Sequence, residues 1–185
     1  MGRRGPLTGN LKFDTWVPNS AILGEPGRGL RLALQTLDVG RVSVAAQGLG
    51  LATAAFTLAS QEAGRRTPFG KPLLDYQGIS FRLADVATEL TAARLLTYQA
   101  AAAYDRGERI STIGAMAKLY SSEVAHRAAD IAVQVYGGDG YCRPCPAERL
   151  YRDQRILEIY EGTSEIQRVV ISRAIATEFA PPTAS

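Results

Sequence analysis

One carboxylate in this chain stands where base chemistry could be done. In the stretch YRDQRILEIYEGTSEIQRVVISR, residues 151–173, Glu161 separates two helical patterns and is followed directly by Gly162. Ile156, Ile159 and Tyr160 recur at helical spacing before it, and Ile166, Val169, Val170 and Ala174 do so after it. Gly162 interrupts the run because glycine takes up positive φ freely. Ser164 with Gln167 three positions on reads as a capping box, so a second helix is expected to start near Thr163 or Ser164. A carboxylate presented between apolar side chains and the positive end of a helix is placed for general-base work. An isolated E-G-T-S is also an ordinary helix-end turn, so the motif by itself leaves both readings open.

Other groups could bind rather than react. LDVGR puts Asp38 and Arg41 three apart on one helical face, which suits either a surface ion pair or a ligand contact. Arg66 in RRTPFGKPLLDYQ carries a planar fork of donors that matches phosphate. In QVYGG, Gly137 fits a helix C-cap and, with Gly138, allows close backbone approach. Cys142 and Cys145 form C-x-x-C in GYCRPCPAE, a spacing used by redox pairs and zinc half-sites. No second pair accompanies them and His126 is the sole histidine, so free thiols are the expectation and no metal site is assigned.

Helices must position these groups. The pattern is helical over residues 30–64, with Leu30, Leu34, Leu37, Val44, Leu51, Ala55 and Leu58 near one stripe. Gly48 and Gly50 are each unfavourable in a helix by roughly 1 kcal/mol, which points to close approach of a neighbour. Pro68 and Pro72 break the next segment. A second helix is expected over 75–104, burying Ile79, Leu83, Val86, Leu90, Ala93 and Tyr98, and a third over 111–136, ended by Gly137. Short connections between long helices give an all-α antiparallel four-helix bundle. LKFDTWVP, closed by Pro18, reads as one short β-strand without a partner, and residues 177–185 read as a disordered tail.

Composition narrows the class. With 46% hydrophobic residues and 185 positions, one principal core is expected. A net charge of +3 from interspersed groups forms no basic block for nucleic acid. The apolar run 45–59 is shorter than the ~20 residues that cross a bilayer, and no signal-peptide pattern is seen, so a soluble protein inside the cell is expected.

Taken together in order, LDVGR, RRTPFGKPLLDYQ, QVYGG, ERLYRD and YEGTSEIQR resemble the acyl-CoA dehydrogenases, flavoenzymes that desaturate acyl-CoA thioesters between the α and β carbons. The resemblance extends from about Phe13 to Ala176. It implies Glu161 as the base that removes the α-proton. It implies FAD contacts at Arg66, Thr67, Phe69, Gln77, Thr163, Ser164 and Glu165, with Gln134, Gly137 and Gly138 reaching the FAD of a neighbouring subunit. Asp38, Arg41, Gly162 and Arg173 are implied at the acyl-CoA. The family mechanism passes a hydride to the flavin and electrons onward to an electron-transferring flavoprotein, within a dimer or tetramer in the cytoplasm or, in a eukaryote, the mitochondrial matrix.

The resemblance also implies a division of the chain. Residues 1–27 would hold the last strand of a β-domain, 28–176 the bundle that meets FAD and acyl-CoA, and 177–185 the tail. Two other readings stay open on the sequence: a non-catalytic helical oligomerisation module, and an acyl-CoA oxidase relative on the same fold.

Overall fold

The computed structural model describes residues 1–6 and 8–180 of the chain. Six α-helices carry the architecture: α1 (Gly29–Arg65), α2 (Gln77–Asp105), α3 (Ser111–Tyr136), α4 (Gly138–Tyr141), α5 (Pro146–Gln154) and α6 (Ser164–Glu178). The all-helical expectation holds, and the three long helices lie within two residues of their sequence boundaries.

Side-chain pairs set the directions. Arg82 meets Asp130, Glu89 meets Arg127 and Thr97 meets Ser121, so α2 and α3 are antiparallel. Asp38 meets Ser111 and Gly48 lies on Ser121, so α1 runs parallel to α3, as an up-down-up order requires. Returning along α3, Gln154 reaches His126 and Gly162 reaches Lys118. The fourth antiparallel member is therefore the broken segment of α5 and a 3-10 turn, Arg155–Glu158. α6 then reverses and follows α3 in the same sense, with Arg168 on Glu123.

Small side chains let α1 and α3 close on each other. Ala45, Ala52, Ala55, Ala59 and Ala63 on α1, with Ala125, Ala128, Ala129 and Ala132 on α3, are fully or almost fully buried. Larger groups on α2 and α3, among them Leu83, Val86, Leu90, Val124, Ile131 and Val135, fill the remaining space. A Cβ added at Gly48 would stand 2.9 Å from the Ser121 carbonyl oxygen and 3.1 Å from its carbon, so the close approach expected at that glycine is present. Gly50 faces open space, and the same expectation fails there. Gly48→Ala is expected to lose roughly 1–2 kcal/mol, because forcing two backbones apart outweighs the helix gain of ~1 kcal/mol. Gly50→Ala should show that gain alone. Equal stabilisation of both variants in urea unfolding would show that the helices do not touch at Gly48.

Several sequence expectations need correcting. LKFDTWVP forms no strand, and no strand occurs among the described residues; Phe13 and Trp16 are more than four-fifths exposed. A single strand has no edge to pair its backbone groups, so nothing here holds one in place. Leu30 and Leu34 are exposed rather than buried. The Asp38–Ser111 register explains this, since α3 begins only at that level and the first turns of α1 run past it. Tyr98 is also exposed. Thr177 and Glu178 belong to α6 and not to a tail, while residues 181–185 lie outside the described residues. By length and composition α1 is long and apolar enough to cross a bilayer, with mean hydropathy 1.5 over its most apolar window. It also carries two buried charged groups, Arg41 and Glu62, each paired on the same helix, with Asp38 and Arg65 respectively.

Candidate functional site

The 3-10 turn after α5 ends at Glu158, and α6 begins at Ser164. Between them Glu161 has φ 54° and Gly162 φ 90°. Glycine takes such a φ at no steric cost, whereas in a glutamate it stores on the order of 1–3 kcal/mol, a strain that persists only where surroundings impose it. Two buried donors impose it here. Gln167 Nε2 donates to the Glu161 carbonyl at 3.2 Å and to the Gly162 carbonyl at 2.8 Å. Lys118 Nζ, from α3, donates to the same Gly162 carbonyl at 2.8 Å.

The expected capping box is not formed. Thr163 is the N-cap, its hydroxyl accepting from the Ile166 N–H at 3.4 Å, and Gln167 turns back into the loop instead of closing the box. Ser164 is buried with a hydroxyl that has no partner among the described residues. The Glu165 carboxyl is held below its ordinary range, first by its own backbone N–H and then by the Thr163 hydroxyl.

This conformation turns the Glu161 side chain onto α1. A Cβ built at Gly40 would fall 2.5 Å from Glu161 Oε2 and 3.1 Å from its carboxyl carbon, so the acid occupies the space that Gly40 leaves. The neighbouring residue on the helix, Arg41, is buried and pairs with Asp38 at 2.5 Å. Asp38 also accepts from the Ser111 hydroxyl at 2.6 Å, while Arg41 Nε has no acceptor among the described residues. Lys118 is completely buried and faces Glu158, Arg41, Glu161 and Glu165. Burial outweighs the attraction of the carboxylates and lowers its pKa from 10.5 to about 8. On the other shoulder of the turn, Tyr160 donates its hydroxyl hydrogen to Gln47 Oε1 at 2.6 Å.

The remaining candidates gather elsewhere. Arg66 caps α1, donates to the Val135 carbonyl at 3.2 Å and places a guanidinium nitrogen 3.3 Å from where a Gly137 Cβ would be. Gly137, φ 63°, ends α3 as expected, with Gly138 next and Gln134 exposed beside them. Thr67 and Gln77 are exposed, and Phe69 is 97% exposed at φ 55°. Among the described residues Phe69 and Glu161 are the two non-glycine residues with positive φ. Arg41 and Arg66 are about 25 residues apart on one continuous helix, roughly 37 Å at 1.5 Å per residue. Arg173 is exposed and lies about nine residues into α6, roughly 14 Å beyond its start.

Thus Glu161, Gly162, Asp38 and Arg41 come together, a second group forms around Arg66 and Gly137, and Arg173 stands apart from both. Cys142 and Cys145 are free, with the Cys145 N–H on the Cys142 carbonyl, and no metal-binding cluster occurs among the described residues. Sequence reasoning missed Gly40, Ser111 and Lys118, and gave Gln167 a capping role where it holds the turn carbonyls. Lys118 had a signal, since Gly114, Ser121, Ser122 and Ala125 at helical spacing around it mark an inward face. Gly40 had only its position between Asp38 and Arg41.

A family model described as acyl-CoA dehydrogenase, C-terminal domain, matches residues 27–176. The mitochondrial short-chain specific acyl-CoA dehydrogenase of Homo sapiens is 51% identical over 173 residues, covering 93% of this chain and 42% of that protein. Butyryl-CoA dehydrogenase from Megasphaera elsdenii superposes with a TM-score of 0.84 at 45% identity, over 86% of this chain and 42% of that one. The structure of PigA with FAD and proline gives a TM-score of 0.85 at 26% identity, over 90% and 43%. The chain spans about two fifths of the length of the relatives it matches. A helical bundle of this shape, matched by the family model over most of its length, places the chain in the acyl-CoA dehydrogenase family, as the C-terminal helical domain.

Proposed function

We propose that this domain supplies the proton-abstracting base, Glu161, for the α,β-desaturation of an acyl-CoA thioester. The observation that carries the reading is the seat of Glu161: a strained turn, clamped by two buried donors, holds its carboxylate in a notch made by Gly40 and next to the Arg41–Asp38 pair. In this reading Glu161 takes a proton from the α-carbon. Its own N–H serves the thioester oxygen, where charge develops as the proton leaves. Asp38 and Arg41 orient the substrate, with Gly162 beside it and Arg173 at a more distant part of the acyl-CoA.

The residues present suit FAD. Arg66 offers an exposed guanidinium for a phosphate, Gly137 and Gly138 leave backbone open to it, and Phe69 presents an uncovered aromatic face. Thr67, Gln77 and Gln134 stand at that end of the bundle, whereas Thr163, Ser164 and Glu165 start α6 beside Glu161. A bound flavin would supply the hydride acceptor for the β-carbon. Because the two groups stand roughly 37 Å apart along α1, one cofactor meets both only when a second copy contributes one of them, so a homo-oligomer completes the site. Re-oxidation falls to an electron-transferring flavoprotein, as the resemblance implies. The names of the relatives point to short acyl chains, and the human one to the mitochondrion; the setting read here is the cytoplasm or, in a eukaryote, the mitochondrial matrix.

The test is assembly of this chain with the preceding domains of a relative, followed by FAD loading and addition of butyryl-CoA. Bleaching of the flavin absorbance without oxygen is the expected result. Flavin retained but not reduced by any acyl-CoA would remove the desaturase reading.

A further inference from the structure

We propose that Lys118 is a positioning residue for Glu161, its side-chain nitrogen fixing the turn through the Gly162 carbonyl so that the carboxylate stays in the Gly40 notch. The inference rests on the reading of Glu161 as the base. No motif discussed above includes Lys118, and packing does not explain it.

A lysine on a helix face ordinarily extends its stem along apolar surface and leaves the charged head in water. Lys118 does the reverse, with no exposed surface, among the buried Gly114, Ala115, Ala117, Ser121 and Ser122 of α3. Burying an ammonium is costly unless it is well paired, and a methionine would fill the same volume without that cost. The hydrogen bond that repays it goes to Gly162, the residue after the base. Gln167 occupies the other side of the same oxygen, so both acceptor positions of this carbonyl are used. The peptide plane that follows Glu161 is then held from α3 and α6 at once. Without Lys118, only Gln167 opposes relaxation of a glutamate held at positive φ.

Four charged groups, from four different elements, act on the ammonium. Glu158 comes from the 3-10 turn, Glu161 from the loop, Glu165 from α6 and Arg41 from α1. Its pKa of about 8 is below the ordinary 10.5, so between these values the unfolded chain binds more protons than the folded one. Stability contributed by this group therefore rises as pH increases from about 8 toward 10.5.

Three readouts test the proposal with Lys118→Met, a variant expected to fold because it removes a buried charge. In the chain alone, wild type should gain in melting temperature relative to the variant as pH rises from 8 to 10.5. Amide exchange at Glu161, Gly162 and Thr163 should accelerate about tenfold or more in the variant, as expected for loss of a charge-assisted bond, with Ala52–Ala59 unchanged. In the flavin-loaded assembly, kcat should fall about tenfold or more while KM for butyryl-CoA stays within about twofold. Wild-type exchange at residues 161–163 together with wild-type kcat would overturn the positioning role. Should Lys118→Met fail to fold, the wild-type Nζ resonance decides: slow solvent exchange and titration near pH 8 support the proposal, and an ordinary titration near 10.5 with fast exchange overturns it. Failure of the base reading shows separately, as turnover that survives Glu161→Gln whatever the exchange data give.

Discussion

Glu161→Gln in the flavin-loaded assembly should lower kcat by about 10²- to 10⁴-fold, the range that general-base catalysis supplies. The substitution keeps the length and shape of the side chain, and Gln167 and Lys118 hold backbone carbonyls that it does not alter. The turn should therefore keep its conformation, and unfolding stability should change by no more than about 1 kcal/mol. KM for butyryl-CoA should stay close to wild type, because the lost function belongs to the transition state and not to the bound ground state. Rapid-mixing measurement of flavin reduction separates the chemical step from product release. Reduction at the wild-type rate would show that another group takes the α-proton. A fall in KM alone would mean that Glu161 opposes binding and does nothing in the reaction.

The parts of this site that could be read from sequence are those carried by local chemistry. Gly137 announced the end of α3 because its φ must be positive, and the apolar spacing around Val124, Ile131 and Val135 announced the helix before it. The break after Glu161 was legible for the same reason, from Gly162 and the change of phase around it. What could not be read is the pairing of surfaces distant in sequence. Gly40 and Glu161 are separated by most of the bundle, and no periodicity within α1 records that an acid from another element fills the gap. The capping box failed similarly. Ser164 and Gln167 have the right spacing, but Gln167 finds two carbonyls in the turn, and this tertiary arrangement outcompetes the local one. Leu30 and Leu34 were misplaced because the stripe continues past the level where α3 begins, and only the register of Asp38 with Ser111 shows where burial stops.

Gly40→Ala should separate activity from stability in this protein. In a helix interior, alanine is ordinarily more favourable than glycine by roughly 0.5–1 kcal/mol, and the backbone of α1 here is regular. The added methyl, however, would stand 2.5 Å from Glu161 Oε2, 3.1 Å from its Cδ and 3.6 Å from Oε1. All three atoms are at the end of a flexible side chain, so the clash is relieved by moving the carboxylate and not the helices. The variant should unfold at the wild-type denaturant concentration or above it. Turnover of butyryl-CoA should nevertheless fall by on the order of 10²-fold, the loss that a displacement of about 1 Å in a reacting group can cause. Gly50→Ala, on an open stretch of the same helix, supplies the comparison: the same gain in helix stability with no loss of rate. If Gly40→Ala were as active as Gly50→Ala, the carboxylate would not need the notch, and the geometry assigned to the base would be wrong even with Glu161 still the proton acceptor. If instead it lost stability, the methyl would be pressing on backbone, and the position of the 160–163 turn relative to α1 would have to be closer than the contacts of the Glu161 side chain require.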